Sequence, residues 1–388
     1  MKKVAVITLN GYFNYGNRLQ NYAVQEVLKS LGFSVETVLI KHSAQNCFTM
    51  AELFHRFRRL ITMPPIKTFW IANTKLKYYA NRNRMDALDA ERTQAFKQFS
   101  LENLMEIDLG LKENSSPPDL ANMYDYFISG SDQVWNPNYV RDSSTYFLTF
   151  APREKRVAYA ASFGVSKIPN EYRGLYKKWL SEMHRISVRE EAGAKIVKEL
   201  TGRDAVVLVD PTMMLSKEKW ISLGKSADAK PAEKYLLTYF LGQKTKATKL
   251  KIKEIANAYG LTIVNLADNK DPKRYIADPA EFIDYINSAS LVCTDSFHGV
   301  VFSILMETPF IAFKRYELGG TAPSIYSRID TLLRTFRFED RKAENVANLG
   351  KVLDVDFSHV VPILASERKK AIDYLKEALN VQDFGVKD

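Results

Sequence analysis

The sequence contains few residues that could form covalent or metal cross-links. Its 388 residues include two cysteines, Cys47 and Cys293, which give neither a disulfide framework nor a zinc motif. Its five histidines show no close ligand spacing, so no metal site is predicted. No stretch approaches the roughly 20 apolar residues of a transmembrane helix. The first apolar run, residues 4–7, is too short for a signal peptide, so we expect a cytoplasmic protein.

The chain carries a net charge of +10, and it has no acidic residue between Leu53 and Arg84. We call residues 53–84 the basic–aromatic segment, because Lys and Arg alternate there with Phe, Trp and Tyr. Such a composition suits the headgroup layer of an anionic membrane, and it would also suit a nucleic-acid backbone. No nucleic-acid-binding module surrounds it, so we expect peripheral contact with the inner face of the membrane. The alternative is a solvated helical face whose aromatic side chains pack inward.

Short β-prone runs alternate with helical stripes along most of the chain. This alternation predicts an α/β protein with two Rossmann-like domains, whose parallel sheets face a cleft. We expect an N-terminal domain over residues 1–184, with a basic helical insertion at about 45–100, and a C-terminal domain over 185–365. A final helix over 366–388 is expected to pack back on the N-terminal domain. A Gly- and Asn-rich turn at 10–17 precedes a predicted helix at 18–31, with Asn17 as its cap.

The central stretch is residues 291–313, which predict a strand, a sharp turn, a buried helix and a second strand. Ligands of parallel sheets bind beyond the carboxyl ends of strands, and the amino terminus of a helix favours an anion there. His298 therefore stands where a side chain could exchange a proton with a bound anion. The alternative is that His298 and Ser296 only cap the helix and that Gly299 only eases the bend.

Two further turns carry candidate binding residues. After the strand that ends near Ser129, Asp132 with Gln133, Trp135 and Asn136 could hold a sugar by hydrogen bonds and ring stacking, or Asp132 could simply cap a helix. Arg189 follows another strand, where a guanidinium could bind phosphate or carboxylate. The alternative is a salt bridge to Glu190, Glu191 or another acid.

Five short motifs give the chain a family resemblance. They occur in the expected order over nearly 290 residues, at 11–23 (GYFNYGNRLQNYA), 130–136 (GSDQVWN), 187–190 (SVRE), 209–211 (VDP) and 295–299 (DSFHG). On these residues the chain resembles the polysaccharide pyruvyl transferase family, which is similar to the GT-B glycosyltransferases. Its characterised members move a pyruvyl group from phosphoenolpyruvate to two hydroxyls of a sugar, forming a cyclic ketal. The resemblance thus implies phosphoenolpyruvate as co-substrate without a further cofactor. It also implies a saccharide acceptor in a surface polysaccharide or its lipid-diphosphate-linked precursor.

The resemblance also implies roles for individual residues. His298 would transfer a proton and Asp132 would accept one, or hold the acceptor. Some family members carry Arg where this chain has Ser296, so Arg315 or Arg328 would supply that donor contact. The remaining donor contacts are assigned to Arg189, Ser296 and Gly299. The acceptor contacts are assigned to Trp135, Gln133, Asn136, Gly16 and Asn17.

Two rival functions remain open. The first is a GT-B glycosyltransferase with a nucleotide-sugar donor, which would release a nucleotide instead of phosphate. The second is a non-catalytic glycan-binding module, which would bind sugar without turnover of any donor.

Overall fold

The computed structural model describes residues 1–41, 82–141, 143–317, 320–321, 323–346 and 348–381. Most of the basic–aromatic segment, residues 53–81, lies outside these ranges, as does most of the predicted insertion. The expected membrane contact of that segment therefore stays a prediction. In the part of the chain described, no helix is long and apolar enough to span a bilayer.

Seven parallel strands form the first sheet, in the order β3-β2-β1-β4-β5-β6-β7. The strands are β1 (Lys3–Ile7), β2 (Ser34–Lys41), β3 (Glu106–Lys112), β4 (Tyr126–Ser129), β5 (Arg156–Ala161), β6 (Arg185–Val188) and β7 (Val206–Val207). The strand order reverses between β1 and β4, and this reversal opens a crevice beyond their carboxyl ends. The sheet continues past residue 184, where the sequence predicts a domain boundary, because β6 and β7 extend it.

Four parallel strands form the second sheet, in the order β11-β10-β8-β9. They are β8 (Tyr235–Tyr239), β9 (Thr262–Leu266), β10 (Leu291–Thr294) and β11 (Phe310–Ala312). Beyond them, β12 (Tyr316–Glu317) pairs antiparallel with β13 (Gly320–Thr321). The two parallel sheets confirm the predicted α/β class.

Helices connect the strands in both halves. The helices of the described chain are α1 (Tyr15–Ser30), α2 (Arg82–Asn103), α3 (Leu120–Met123), α4 (Asn170–Ser181), α5 (Glu191–Thr201), α6 (Lys217–Leu223), α7 (Lys246–Tyr259), α8 (Pro272–Tyr275), α9 (Pro279–Asn287), α10 (Phe297–Met306), α11 (Pro323–Thr335) and α12 (Val360–Ala378). The predicted start of α1 is wrong, because Asn14 caps it instead of Asn17. The Asn14 side chain accepts the Asn17 N–H at 3.4 Å, which places three more residues in the helix.

The amino terminus of α1 joins the two halves. The Tyr15 ring stacks on Phe282 of α9 with centroids 4.6 Å apart, inside a core shared with the second sheet. Arg92 of α2 reinforces this contact, because it donates hydrogen bonds to the Tyr15 hydroxyl at 3.0 Å, to the Phe13 carbonyl at 3.2 Å and to the Tyr275 carbonyl. The halves thus meet through buried side chains close to the crevice of the first sheet.

The final helix returns to the first sheet. Ala371, Tyr374 and Leu375 of α12 pack in one core with Val4 and Val6 of β1. The Tyr374 hydroxyl also donates a hydrogen bond of 2.7 Å to the Ala158 carbonyl of β5. This helix begins at Val360, earlier than the residue 366 that the sequence predicts.

Candidate active site

A cavity of about 550 Å³ lies between the carboxyl ends of β1 and β4 and those of β8 and β10. Its N-terminal wall includes Asn10, Phe13, Asn17, Asp132, Gln133 and Tyr139. Its C-terminal wall comprises Leu241, Ser296, Phe297, His298, Arg315 and Arg328. Loops from both sheets therefore share one cavity, at the position where parallel sheets bind ligands.

Ser296 and Gly299 shape the start of α10. The Ser296 hydroxyl accepts the Gly299 N–H at 3.3 Å, and the Ser296 N–H donates to the Thr294 hydroxyl at 3.0 Å. A Cβ at Gly299 would lie 2.5 Å from that hydroxyl, so only glycine fits here. Both residues thus have the capping and turning roles of the alternative interpretation, while Ser296 also lines the cavity.

His298 lies between two elements of the N-terminal half. Its side chain is almost fully buried, with Nε2 3.5 Å from Oδ2 of Asp210. A Cβ at Gly16 would lie only 1.9 Å from Nδ1 of the imidazole. Gly16 therefore makes room for His298 and does not line the cavity, in contrast to the acceptor contact that the sequence analysis assigns to it.

Asp210 belongs to the VDP motif at 209–211, but the sequence alone predicts no role for it. Its buried carboxylate accepts hydrogen bonds from Arg189, from the Ser131 hydroxyl at 3.2 Å and from the N–H and hydroxyl of Thr212 at 3.0 and 2.7 Å. Burial raises the pKa of Asp210, but the charges of Arg189 and His298 and the hydrogen bonds outweigh it and hold the pKa below its ordinary value. Asp210 is therefore a fixed anion beside His298. Its position directly after the apolar run at 205–209 was the available signal.

Arg189 forms ion pairs with two carboxylates. Its guanidinium donates to Asp210 and, at 3.4 Å, to Asp132, and it stacks 4.4 Å above the Phe297 ring. Burial lowers the pKa of Arg189, yet Asp210, Asp132 and Glu190 together raise it above the ordinary value. The salt-bridge alternative thus describes the observed state, with acids other than the two neighbouring glutamates. Arg189 lies behind the wall of the large cavity and lines a smaller one of about 180 Å³.

Asp132 connects Arg189 to the cavity. Its backbone adopts φ 72°, and its carbonyl accepts the N–H groups of Val134 and Ser162 at 2.9 Å each. This left-handed turn sends the carboxylate between Arg189 at 3.4 Å and Arg328 at 3.9 Å. The structure thus brings Asp132, Arg189 and His298 together, with Asp210 as the link.

Arg328 and Arg315 provide the cationic side of the cavity. Arg328 is only 3% exposed, its Nε has no hydrogen-bond acceptor in the described part of the chain, and its Nη1 lies 3.9 Å from Oδ1 of Asp132. Burial, followed by the charge of Arg189, lowers the pKa of Arg328 to about 10. Arg315 donates to the Asp295 carbonyl at 3.2 Å, and Asp295 in turn accepts the N–H groups of Leu241 and Gly242. Arg328 is therefore a desolvated cation whose only carboxylate contact among the described residues is Asp132, at 3.9 Å.

The predicted stacking role of Trp135 is wrong. Its side chain is fully buried and stacks on Phe147, with centroids 5.2 Å apart and the planes 2° from parallel. The indole N–H donates to the Tyr146 carbonyl at 3.1 Å. The turn after β4 directs this ring into the core because the packed aromatic residues offer it more apolar surface than the cavity does.

Some polar residues of the loops after β1 and β4 line the cavity, and others only hold their own loop in place. Asn136 is buried and closes its own loop through hydrogen bonds to Gln133, at 2.6 Å, and from the Asn138 N–H, at 2.9 Å. Gln133 and Asn17 line the cavity, and their contacts with an acceptor stay predictions. The Asn17 oxygen accepts two hydrogen bonds from Arg18, a buried side chain that also pairs with Glu106 at 2.6 Å.

The cavity also has lining residues that the sequence analysis does not assign. They include Asn10 and Phe13, which follow β1, and Tyr139, which follows β4. In the described part of the chain, no group of three His, Cys, Asp or Glu side chains is arranged to hold a metal ion.

Comparison with known proteins places the chain in a sequence family. The family described as polysaccharide pyruvyl transferase matches residues 14–315. No protein of curated function gives a significant match. Among solved structures, a putative UDP-N-acetylglucosamine 2-epimerase from Listeria monocytogenes is 12% identical with a TM-score of 0.48, covering 98% of this chain and 97% of that one. UDP-GlcNAc 2-epimerase from Neisseria meningitidis is 10% identical with a TM-score of 0.44, covering 97% and 100%. These structural likenesses are too remote to bear on activity.

Proposed function

Since the chain belongs to the polysaccharide pyruvyl transferase family and is therefore a transferase, we propose that phosphoenolpyruvate is its donor. The acceptor is a pair of hydroxyls on a sugar in a surface polysaccharide or its lipid-linked precursor, and the product is a pyruvate ketal. One observation carries this proposal: Arg328, a buried cation whose Nε has no hydrogen-bonding partner among the described residues, shares its cavity with His298 and Asp132.

The donor binds on the C-terminal wall. Phosphoenolpyruvate carries a phosphate and a carboxylate, and both form strong hydrogen bonds with guanidinium groups. A buried guanidinium with an unsatisfied Nε and only a distant carboxylate is unfavourable, so an anion bound beside Arg328 regains part of the lost interaction. Arg315 lies on the same wall and supplies a second cation. Arg189, which the sequence analysis assigns to the donor, instead holds Asp132 and Asp210 in place.

The reaction then requires one acid and one base. His298 donates a proton to the methylene carbon of phosphoenolpyruvate, and C2 becomes electrophilic. One sugar hydroxyl attacks C2 and gives its proton to Asp132. The bond from C2 to the phosphate oxygen breaks, and the second hydroxyl closes the ketal. Of the two hydroxyl protons, one restores the proton that His298 gave to the new methyl group, and the other leaves with phosphate.

Asp210 orients the proton donor. Nε2 of His298 lies 3.5 Å from the Asp210 carboxylate, and Gly16 lies against the other side of the ring, so the imidazole is held between them. The hydrogen bonds and ion pair that fix the Asp210 carboxylate therefore also fix the position of the imidazole beside the cavity. Asp210 does not itself line the cavity, so it acts as a positioning residue.

The test is turnover with phosphoenolpyruvate and a panel of pyranosides that have free hydroxyl pairs. We expect release of inorganic phosphate and a product heavier than its acceptor by pyruvate minus water. Arg328→Ala should weaken donor binding, whereas Arg334→Ala should not, because Arg334 is an exposed residue of the same helix that pairs with Glu191. Release of a nucleotide from a sugar nucleotide, with no phosphate from phosphoenolpyruvate, would refute the proposal in favour of a glycosyltransferase.

Contact with the membrane is a separate part of the proposal. The basic–aromatic segment supplies the positive charge for an anionic surface, where each Lys or Arg contributes about 1 kcal/mol. Liposome flotation should depend on anionic lipid and should decrease when Arg56, Arg58 and Arg59 are replaced together by Ala. Flotation that is indifferent to both changes would remove this part of the proposal and leave the reaction untouched.

A further inference from the structure

Two exposed aromatic rings lie at one cavity. Among the described residues, Phe13 and Tyr139 are the only aromatic side chains in the exposed class, at 71% and 55% exposed. Both line the cavity, although they come from loops more than a hundred residues apart in the chain. Other aromatic side chains of these loops, such as Tyr15 and Trp135, are fully buried. Burial of apolar surface contributes about 25 cal/mol of favourable free energy for each Å² removed from water. A bound partner that covers these two rings would therefore be stabilised by them.

The Phe13 ring is held in its exposed position by its surroundings. A Cβ at Gly11 would lie 2.4 Å from Cε1 of this ring, so the ring lies directly against the glycine backbone. The Phe13 carbonyl accepts a hydrogen bond from Arg92, and the next residue, Asn14, caps α1. The loop is thus ordered on both sides of the ring, which reduces the entropy that a ligand would lose on binding.

The chemistry of this wall indicates what the rings bind. Amide side chains of Asn10, Asn14, Asn17 and Gln133 lie on the same wall, whereas the cationic side chains Arg315 and Arg328 lie on the other. In the part of the chain that the structure describes, the side-chain oxygen of Asn10 has no hydrogen-bonding partner. Aromatic faces beside neutral amides match a pyranose, which presents a C–H face and a rim of hydroxyl groups. A cavity of about 550 Å³ also lies within the range of small-molecule sites, roughly 300–1,000 Å³.

We propose that Phe13 and Tyr139 form the stacking platform for the acceptor sugar, with the Asn10 side chain accepting a hydrogen bond from one of its hydroxyls. This inference rests on the proposed function for the identity of the acceptor. It gives the ring-stacking role to residues other than Trp135, and it separates the acceptor wall from the donor wall.

The platform is tested by kinetics and by direct binding in the full-length protein. The variants are Phe13→Ala, Tyr139→Ala, the double variant and Tyr139→Phe, with Leu175→Ala as an exposed apolar control outside the cavity. In the double variant we expect the acceptor KM to rise about tenfold or more, while the donor KM and the melting temperature stay at wild-type values. Tyr139→Phe should raise the acceptor KM less than Tyr139→Ala does, because the ring face is retained.

Saturation-transfer NMR with methyl pyranosides separates a failure of the stacking platform from a failure of the proposed reaction. A wild-type enzyme that turns over phosphoenolpyruvate, with a double variant of unchanged acceptor KM and NMR signal, would overturn the platform alone. A wild-type protein without phosphoenolpyruvate turnover, whose pyranoside signal disappears in the double variant, would overturn the proposed reaction and support the platform. A saturation-transfer signal from UDP that disappears in the double variant, together with no signal from methyl pyranosides in the wild type, would show that the rings bind a nucleobase and would overturn the acceptor assignment.

Discussion

The contact between Gly16 and His298 gives the sharpest prediction from this structure, the effect of Gly16→Ala. Gly16 is the second residue of α1, where alanine would normally be favoured over glycine by about 0.5–1 kcal/mol. Here the three atoms nearest to an added Cβ are all in the His298 ring, at 1.9, 2.2 and 2.5 Å. These distances are far inside van der Waals contact, so the imidazole or the helix must move. Overpacking of this kind costs about 1–3 kcal/mol, which exceeds the gain in helix propensity.

The same substitution in a His298→Ala background reverses the sign. Without the imidazole the clash is absent, and only the helix propensity remains. We expect Gly16→Ala to lower the free energy of unfolding in the wild type and to raise it by up to about 1 kcal/mol in the variant. Gly174→Ala is the matched control, because Gly174 also lies in a helix but has no atom within 4 Å of its added Cβ. It should stabilise both backgrounds equally.

Thermal unfolding measures the four free energies, and turnover with phosphoenolpyruvate adds the catalytic consequence. A displaced imidazole loses its alignment with Asp210 and the cavity, so Gly16→Ala should lose much of the 10²–10⁴-fold that general acid–base catalysis typically contributes. The reasoning is refuted if Gly16→Ala is neutral in the wild type, or if it destabilises both backgrounds to the same extent.

Two further predictions concern buried residues. Asp210→Asn should be less stable than the wild type, by a constant margin above about pH 5. The margin should narrow as the pH falls below about 4, because a carboxylate whose folded pKa is depressed stabilises the fold above its unfolded pKa of about 3.9 and loses that contribution on protonation. The measurement is the urea midpoint of Asp210→Asn and of the wild type across that pH range. A difference in stability that stayed constant down to low pH would contradict the prediction. Trp135→Ala should destabilise the fold by about 3–5 kcal/mol in thermal unfolding, with the acceptor KM unchanged. A raised acceptor KM in a stable Trp135→Ala protein would restore its predicted stacking role.

Local sequence patterns predicted most strands and helices of this fold. Continuous apolar runs such as Leu291–Thr294 predict buried parallel strands, and such strands are what the structure contains. The edge strand Glu106–Lys112 is harder to predict from local sequence. Most of its residues are only partly buried, and Gly110 adopts a left-handed φ of 77°, so its pattern is weaker than that of a central strand.

The candidate site was less predictable, because its contacts join distant parts of the chain. The sequence shows that Asp132, Arg189 and His298 follow strands, and the carboxyl ends of parallel strands do bring them together. It does not show that Asp210 links Arg189 to His298 or that Arg328 has only a distant carboxylate beside it among the described residues. Those features depend on side-chain directions, as does the burial of Trp135 against Phe147.

The start of α1 combines three roles in three successive residues, and this determines how variants there should be read. Tyr15 packs in the core shared by the two halves, Gly16 lies against His298, and Asn17 lines the cavity. A loss of activity after substitution of Tyr15 could therefore arise from a shift between the halves as readily as from the site. Gly16→Ala avoids this ambiguity, because its nearest contacts are confined to the imidazole. A loss of stability that disappears with His298 identifies that contact as the cause.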